Sequence, residues 1–267
     1  MQVAPGVRHL LAPNPSFMTG RGTNTYLIGE REVTVVDPGP DLPEHVEAIL
    51  HEVTEAGGRI TRLLVTHGHS DHLPGAYRLR ERTGAPICGH PSLPGVDRPL
   101  SDGETVATEG GPLVALETPG HADDHLCFWR EGDRLLFSGD LVVGVGTVVL
   151  SQTAGSLTRY LASLHRMLDL APQTILPGHG PVVTDARAKL QEYLDHRALR
   201  ERQLVDALQL GPASIDELVQ RVYYETPPAL YRMAARNVQA HLEHLAAQGR
   251  ATTDGKLWRL NREEGRE

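Results

Sequence analysis

The sequence predicts an α/β (α+β) protein in two parts, residues 1–194 and 195–267. Three observations lead there. In the first part, short β-like apolar stretches alternate with helix-spaced segments. Several of these stretches run into Gly- or Pro-containing loops that carry His or Asp, the place where α/β proteins mount chemistry on a rigid sheet. After about Asp195 the pattern changes to three helical segments and a tight hairpin. With 267 residues, 40 % of them apolar, the chain can bury the core of a large domain with a small one beside it.

Taken in order, Thr25–Gly29 and Val33–Asp37 read as strands joined by the charged tip Glu30-Arg31-Glu32, and Asp37-Pro38-Gly39-Pro40 ends the second in a turn. His45–Ala56 carries helix-spaced Val46, Ile49, Leu50 and Val53 and stops at Gly57-Gly58. Ile60–Thr66 is a strand that runs into a histidine cluster, and Leu73–Thr83 is helical up to Gly84. Leu113–Thr118 is a strand stopped by Pro119-Gly120-His121. Leu126–Trp129 and Leu135–Ser138 form a hairpin that ends in Gly139-Asp140. Leu157–Leu170 is an amphipathic helix, and Thr174–Pro177 is a strand that ends in Gly178-His179-Gly180.

In the second part, Ala198–Leu210 is the first helix. Ser214 with Glu217 three residues on is a capping box that opens a second helix to about Val222. Pro227-Pro228 opens a third, which runs to Gln248 and is stopped by Gly249. Arg250–Thr253 and Lys256–Leu260 flank Asp254-Gly255, a two-residue hairpin turn. Three helices and a β-hairpin make a winged-helix pattern.

The formal net charge is -8 and no Lys/Arg run is present; Lys189 and Lys256 are the only lysines. Grip on nucleic-acid backbones rests on neutralising phosphates, so this balance argues against tight, non-specific binding of duplex. Cys88 and Cys127 have no metal-ligand spacing and are expected to be buried free thiols. Met1–Leu11 shows no basic stretch followed by an apolar run, and no apolar run approaches the roughly 18–20 residues of a membrane span. The expected location is the cytoplasm, with no membrane association.

The chemistry concentrates in Thr66-His67-Gly68-His69-Ser70-Asp71-His72, three imidazoles and a carboxylate within six residues. These ligands suit zinc, iron or manganese. Gly68 permits a sharp backbone path. His67 and His69, two apart, fall on one side and can share an ion, while Asp71 and His72 on the next bend can serve a second. An open zinc site uses about three protein ligands plus water, so two ions need six or seven groups. The cluster supplies four. His121, Asp140 and His179, each after a strand and next to a glycine, bring the count to seven. Without a cation, so many chargeable groups side by side repel when protonated. His9, His45, His51, His90, His165, His196, His241 and His244 read as ordinary surface or core histidines. His125 either orients a ligand or substrate, or is a plain histidine at the start of a strand; both readings stay open.

The His-x-His-x-Asp-His core, with the later His, Asp and His, resembles the metallo-β-lactamase fold superfamily of hydrolases. The resemblance implies a four-layer αββα sandwich with metals at the sheet edge. It implies one metal on His67, His69 and His121, a second on Asp71, His72 and His179, and Asp140 as the bridge. It also makes Asp37, in Asp37-Pro38-Gly39, a supporting residue. The stretches 22–27, 118–125 and 177–182 resemble the lactamase-beta-like protein two family, as do 195–197, 233–235 and 241–245. That family includes an endoribonuclease acting on single-stranded RNA, and relatives that are thioesterases on carrier-protein-bound chains.

The expectation is therefore a binuclear hydrolase with two divalent ions, zinc first and iron or manganese as alternatives. A hydroxide held between the ions would attack a carbonyl carbon or a phosphorus, because a zinc-bound water has a pKa of roughly 7. Asp140 bridges, and Asp71 accepts a hydrogen bond from the nucleophilic water. The first substrate reading is single-stranded RNA, by endoribonuclease action. The alternative is a small acyl thioester, by a thioesterase or a hydroxyacylglutathione-hydrolase-like esterase. Aromatics for stacking bases make up only 4 % of the chain, and residues 195–267 hold 11 basic and 11 acidic side chains. The small domain is thus expected to shape the site or meet proteins rather than read nucleic acid. A homodimer through it is a further expectation. A DNA-binding regulator is disfavoured, because a structural zinc site closes with four ligands. A β-lactamase proper is not expected.

Overall fold

The computed structural model describes residues 1–261; residues 262–267, the end of the predicted second part, lie outside the described residues. Seven strands form the first sheet in sequence order: β1 (Gln2–Ala4), β2 (Val7–Leu11), β3 (Asn24–Ile28), β4 (Glu32–Val36), β5 (Arg59–Leu64), β6 (Ile87–Gly89) and β7 (Arg98–Pro99). It is antiparallel as far as β4 and parallel beyond, where α1 (Pro43–Glu55) and α2 (Pro74–Thr83) make the crossovers. The second sheet runs β12-β11-β10-β9-β8, built from β8 (Thr105–Val106), β9 (Leu113–Glu117), β10 (Leu126–Arg130), β11 (Leu135–Gly139) and β12 (Thr174–Pro177). Only β11 and β12 pair in parallel, across α3 (Ser156–Leu170).

The period-two alternation of the strands builds four layers. Tyr26, Ile28, Leu126, Phe128, Leu135 and Phe137 meet between the sheets. Leu27, Val33, Val35 and Leu63 face the other way, onto Val46, Ile49 and Val53 of α1 and Ala76 and Leu79 of α2. Cys127, Trp129 and Leu136 face Tyr160, Leu164 and Met167 of α3. Each large side chain so buried contributes about 1.5–3 kcal/mol. Both cysteines are free and buried.

The C-terminal segment differs from expectation at two places. The helix expected from Ala198 begins twelve residues earlier: α4 spans Ala186–Gln209. Its N-cap is Asp185, whose Oδ1 accepts from Ala188 N at 3.0 Å. Leu190, Tyr193 and Leu194 join the α3 core, and Leu204, Ala207 and Leu208 join the core of the small domain. One helix thus serves both cores, and residue 194 lies within it. The hairpin β13 (Ala251–Thr253) and β14 (Trp258–Leu260) closes through four residues rather than two, since Thr253 pairs with Trp258. The Asp254 carboxylate accepts from Lys256 N and Leu257 N, which favours the longer turn. Between α4 and the hairpin, α5 (Ile215–Val222) carries the full Ser214/Glu217 capping box, and α6 (Tyr231–Ala247) follows a short 3₁₀ turn. Three helices and a hairpin around Leu218, Val238, Leu242 and Trp258 make the winged helix. No helix among the described residues is long and apolar enough to cross a membrane.

Candidate metal centre

The strand pairings turn the C-terminal ends of β4 and β5 to one rim of the first sheet. Those of β9, β11 and β12 share one rim of the second. The segments that follow carry Asp37, residues 67–72, His121, Asp140 and His179. The start of β3 lies at the same rim: Asn24 N donates to the Gly178 carbonyl at 2.8 Å, and Thr23 bridges to His179. All seven sequence-predicted side chains meet there. His67, His69, His121 and Asp140 form one group and Asp71, His72 and His179 another, the ligand atoms within each lying within 4.8 Å of one another.

The contacts inside the groups are those of a cation site. His67 Nε2 lies 2.8 Å from His69 Nδ1, His121 Nε2 3.1 Å from the same atom, and His72 Nε2 3.3 Å from His179 Nε2. The outer nitrogens show which atoms carry the protons. His121 Nδ1 donates to the Val149 carbonyl at 2.8 Å and His179 Nδ1 to the Gly22 carbonyl at 3.2 Å, and a carbonyl can only accept. His72 Nδ1 donates to Asp37 Oδ2 at 2.9 Å. His67 Nδ1 lies 3.0 Å from Thr66 Oγ1, whose own proton goes to Asp37 Oδ2 at 2.8 Å. In these four rings Nδ1 is tied outward and Nε2 faces inward, the nitrogen a metal would take up once its proton is released, while His69 turns its Nδ1 inward. Asp140 stands between the groups: Oδ2 is 3.5 Å from His121 Nε2 and 3.3 Å from His179 Nε2, and Oδ1 is 3.5 Å from His72 Nε2. Its buried Oδ1 has no hydrogen-bond partner among the described residues. Converging ring nitrogens and an orphaned carboxylate oxygen fit two divalent ions.

The electrostatics separate the two groups. Burial, with the charges of His72 and His121, holds His67 well below its usual range; burial holds His121 down at about 4. That group offers neutral imidazoles. In the other, burial opposes the charge on His179, but the carboxylates of Asp140 and Asp71 override it and raise the ring to about 9. Burial likewise opposes Asp71 ionisation, yet the hydrogen bond from His179 and the charge of His72 bring it down to about 2.

Other residues brace the site. Asp37, at a left-handed φ of 48°, also accepts from Thr66 N at 2.8 Å. His125 is fully buried, and its Nε2 accepts the backbone N–H of Asp140 at 3.1 Å while Nδ1 meets Thr118 Oγ1 at 2.8 Å. This settles the two readings of His125: it positions Asp140 through the backbone. Sequence reasoning missed Asp124, whose Oδ2 accepts from Gly68 N at 2.9 Å and shapes the histidine turn. It also missed the second part's contribution. Asn237 of α6 accepts from Leu150 N at 3.1 Å, and buried Arg197 of α4 donates to the Val148 carbonyl at 2.8 Å. The segment they hold presents the Val149 carbonyl to His121.

The centre opens through His69 and Asp71 into a cleft of about 1150 Å³. One wall is the loop with Asn14, Ser16 and Met18, and another is α6 with Arg232, Met233 and Arg236. No Phe, Tyr or Trp lines it among the described residues.

Comparison with known proteins agrees with this architecture. Residues 18–95 and 91–179 match the family described as the metallo-beta-lactamase superfamily, and residues 214–258 match the beta-lactamase associated winged helix domain. A beta-lactamase-like protein 2 homolog of Drosophila melanogaster is 34 % identical, the match covering 93 % of this chain and 90 % of that one. An atrochrysone carboxyl ACP thioesterase of Aspergillus chevalieri is 36 % identical over 87 % of this chain and 78 % of its own. The crystal structure of a beta-lactamase domain protein from Burkholderia ambifaria superposes with a TM-score of 0.87 at 23 % identity, covering 98 % of this chain and 93 % of that one.

Proposed function

Since the chain belongs to the metallo-beta-lactamase superfamily of hydrolases, we propose that it hydrolyses acyl thioesters at a two-cation centre. In this reading His67, His69 and His121 would hold one ion and Asp71, His72 and His179 the other, with Asp140 available to both. The observation that carries it is the set of inward-facing ring nitrogens and carboxylates around the orphaned Asp140 Oδ1. Zinc is the ion best matched to this histidine-rich set. When bound, the ions supply Lewis acidity, acidifying water and polarising the electrophile's oxygen.

The chain's own residues do the rest. Asp71, partly open to the cleft, accepts a hydrogen bond from the attacking water and orients it. Asp140 is fixed by His125 and keeps the separation of the two groups constant. Met18, Val149, Leu150 and Met233 give the cleft apolar surface for an acyl chain. Thioester chemistry suits what the cleft offers: a thiol has a pKa of about 8.5, so a thiolate departs near neutral pH without a strong proton donor. Outside the seven, the cleft lining contains no His, Cys, Lys or Tyr to act as one among the described residues. The relative named a thioesterase supports the same substrate class. We keep the division into a catalytic part, 1–194, and a small part, 195–267, as belonging to this reading, with the small part as a wall of the cleft.

Single-stranded RNA, the first substrate expected from the sequence, is the second reading. Two arginines in the cleft favour it, whereas base stacking, worth about 1–3 kcal/mol per base, has no aromatic platform there. The test sets zinc-loaded protein against a panel of S-acyl thioesters and against single-stranded RNA, with Asp140→Ala as control. Thiol release that falls to background in Asp140→Ala supports the proposal. RNA cleavage without thiol release overturns its substrate, and undiminished activity in Asp140→Ala overturns its centre.

A further inference from the structure

The chain is acidic, and half of its described arginines are paired with carboxylates. Eleven of them hold a carboxylate among the described residues, from Arg8 with Glu52 to Arg259 with Asp254. Arg232 and Arg236 are different. Both are exposed, both line the catalytic cleft, and among the described residues neither has a carboxylate or carbonyl partner. They stand one turn apart on α6, so they project from the same face. Two like charges at that spacing repel, and a shared anion removes that repulsion. The helix is also fixed relative to the centre, because neighbouring Asn237, itself buried, is bonded to Leu150 beside the Val149 carbonyl that holds His121. The lining of the same cleft also carries the carboxylates of Asp71 and Asp140, and that of Asp123, which is paired with Arg159. The cleft thus combines the carboxylates of the centre with two exposed guanidinium groups on α6.

We propose that Arg232 and Arg236 form an anion subsite for a phosphate group that the substrate carries away from its scissile bond, which makes phosphate-bearing thioesters the preferred class. Guanidinium groups suit this because their N–H forks match phosphate oxygens in pairs. The cleft, at about 1150 Å³, has room for an acyl chain at the centre together with a phosphorylated arm reaching α6. The inference rests on the thioester reading for its substrate but not for its test.

The test is calorimetric binding of 4′-phosphopantetheine and of pantetheine to the zinc-loaded protein. The two probes share the thiol and differ only in the phosphate. The wild type is expected to bind the phosphorylated probe at least about tenfold more tightly, from charge-assisted hydrogen bonds. That preference is expected to vanish in the double variant Arg232→Ala/Arg236→Ala and to return in part with lysine at both positions. Circular dichroism confirms that the variants are folded. Equal binding of the two probes by the wild type overturns the proposal. So does a preference that survives in the double variant, since the phosphate would then sit on the ions. Wild-type hydrolysis of a phosphate-free S-acyl-N-acetylcysteamine reports separately on the thioester reading, so the two failures are distinct.

Discussion

Gly178 shows how tightly the residues of the centre are matched. A Cβ there would lie 2.5 Å from Asp140 Oδ1 and 2.7 Å from His72 Cε1, so only a glycine lets β12 deliver His179 beside them. Protonation is matched as well. In the metal-free protein His179 is raised to about 9 by Asp140 and Asp71 over the opposing effect of burial, so at pH 7 its ring is charged. Its ion pairing stabilises the metal-free fold fully below the usual histidine pKa of about 6.5, and that contribution is lost as pH rises through about 9. A cation needs the lone pair, so binding to the second group must expel protons. Zinc titrations in buffers of different ionisation heat are expected to show proton release at pH 7, with affinity rising up to about pH 9. An affinity flat from pH 6.5 to 9 would contradict the assignment. The seven residues were legible in the sequence because chargeable groups rarely crowd after strand ends without cause. The groups that fix their tautomers were not, since two of the acceptors, on Val149 and Gly22, are backbone carbonyls and carry no residue signature.

At the scale of elements, the site is a product of sheet register. Strand β5 delivers four of the seven groups, and β9, β11 and β12 one each, because their ends share a rim. The strands that carry chemistry were readable from apolar runs bounded by Gly and Pro. The short β1, β6, β7 and β8, of two or three residues, were not, since alternation has no room to show. The continuous α4 was also missed: its two apolar stripes face different cores, so neither dominates the pattern. The tie from α6 carries a prediction. Asn237→Leu keeps the volume but leaves Leu150 N unsatisfied, a cost of about 1–3 kcal/mol. The segment that presents Val149 to His121 should loosen. The folded variant is expected to lose about 10–100-fold in zinc affinity at the His67/His69/His121 group, the usual penalty for an outer partner of a ligand. A competitive zinc titration, with thermal unfolding as the check on folding, reads this out; unchanged affinity would show that α6 is only a neighbour of the centre.

Across the whole molecule, two cores share one helix, and the winged-helix part closes one wall of the cleft built by the sandwich. Its balanced charge, legible in the sequence, fits a wall better than a nucleic-acid reader. What no spacing rule foretold is that α6 would stand over the centre, because that depends on how α4 docks on the sandwich through Leu190 and Tyr193. Seven side chains, drawn from the rims of both sheets, converge to hold two cations in the proposed centre. Anomalous diffraction from crystals grown with zinc tests this most directly. It should show two peaks per chain, about 3.5–4 Å apart. One should lie about 2.0–2.1 Å from nitrogens of His67, His69 and His121. The other should lie beside Asp71, His72 and His179, with Asp140 between them. A single peak, or peaks away from these residues, would contradict it.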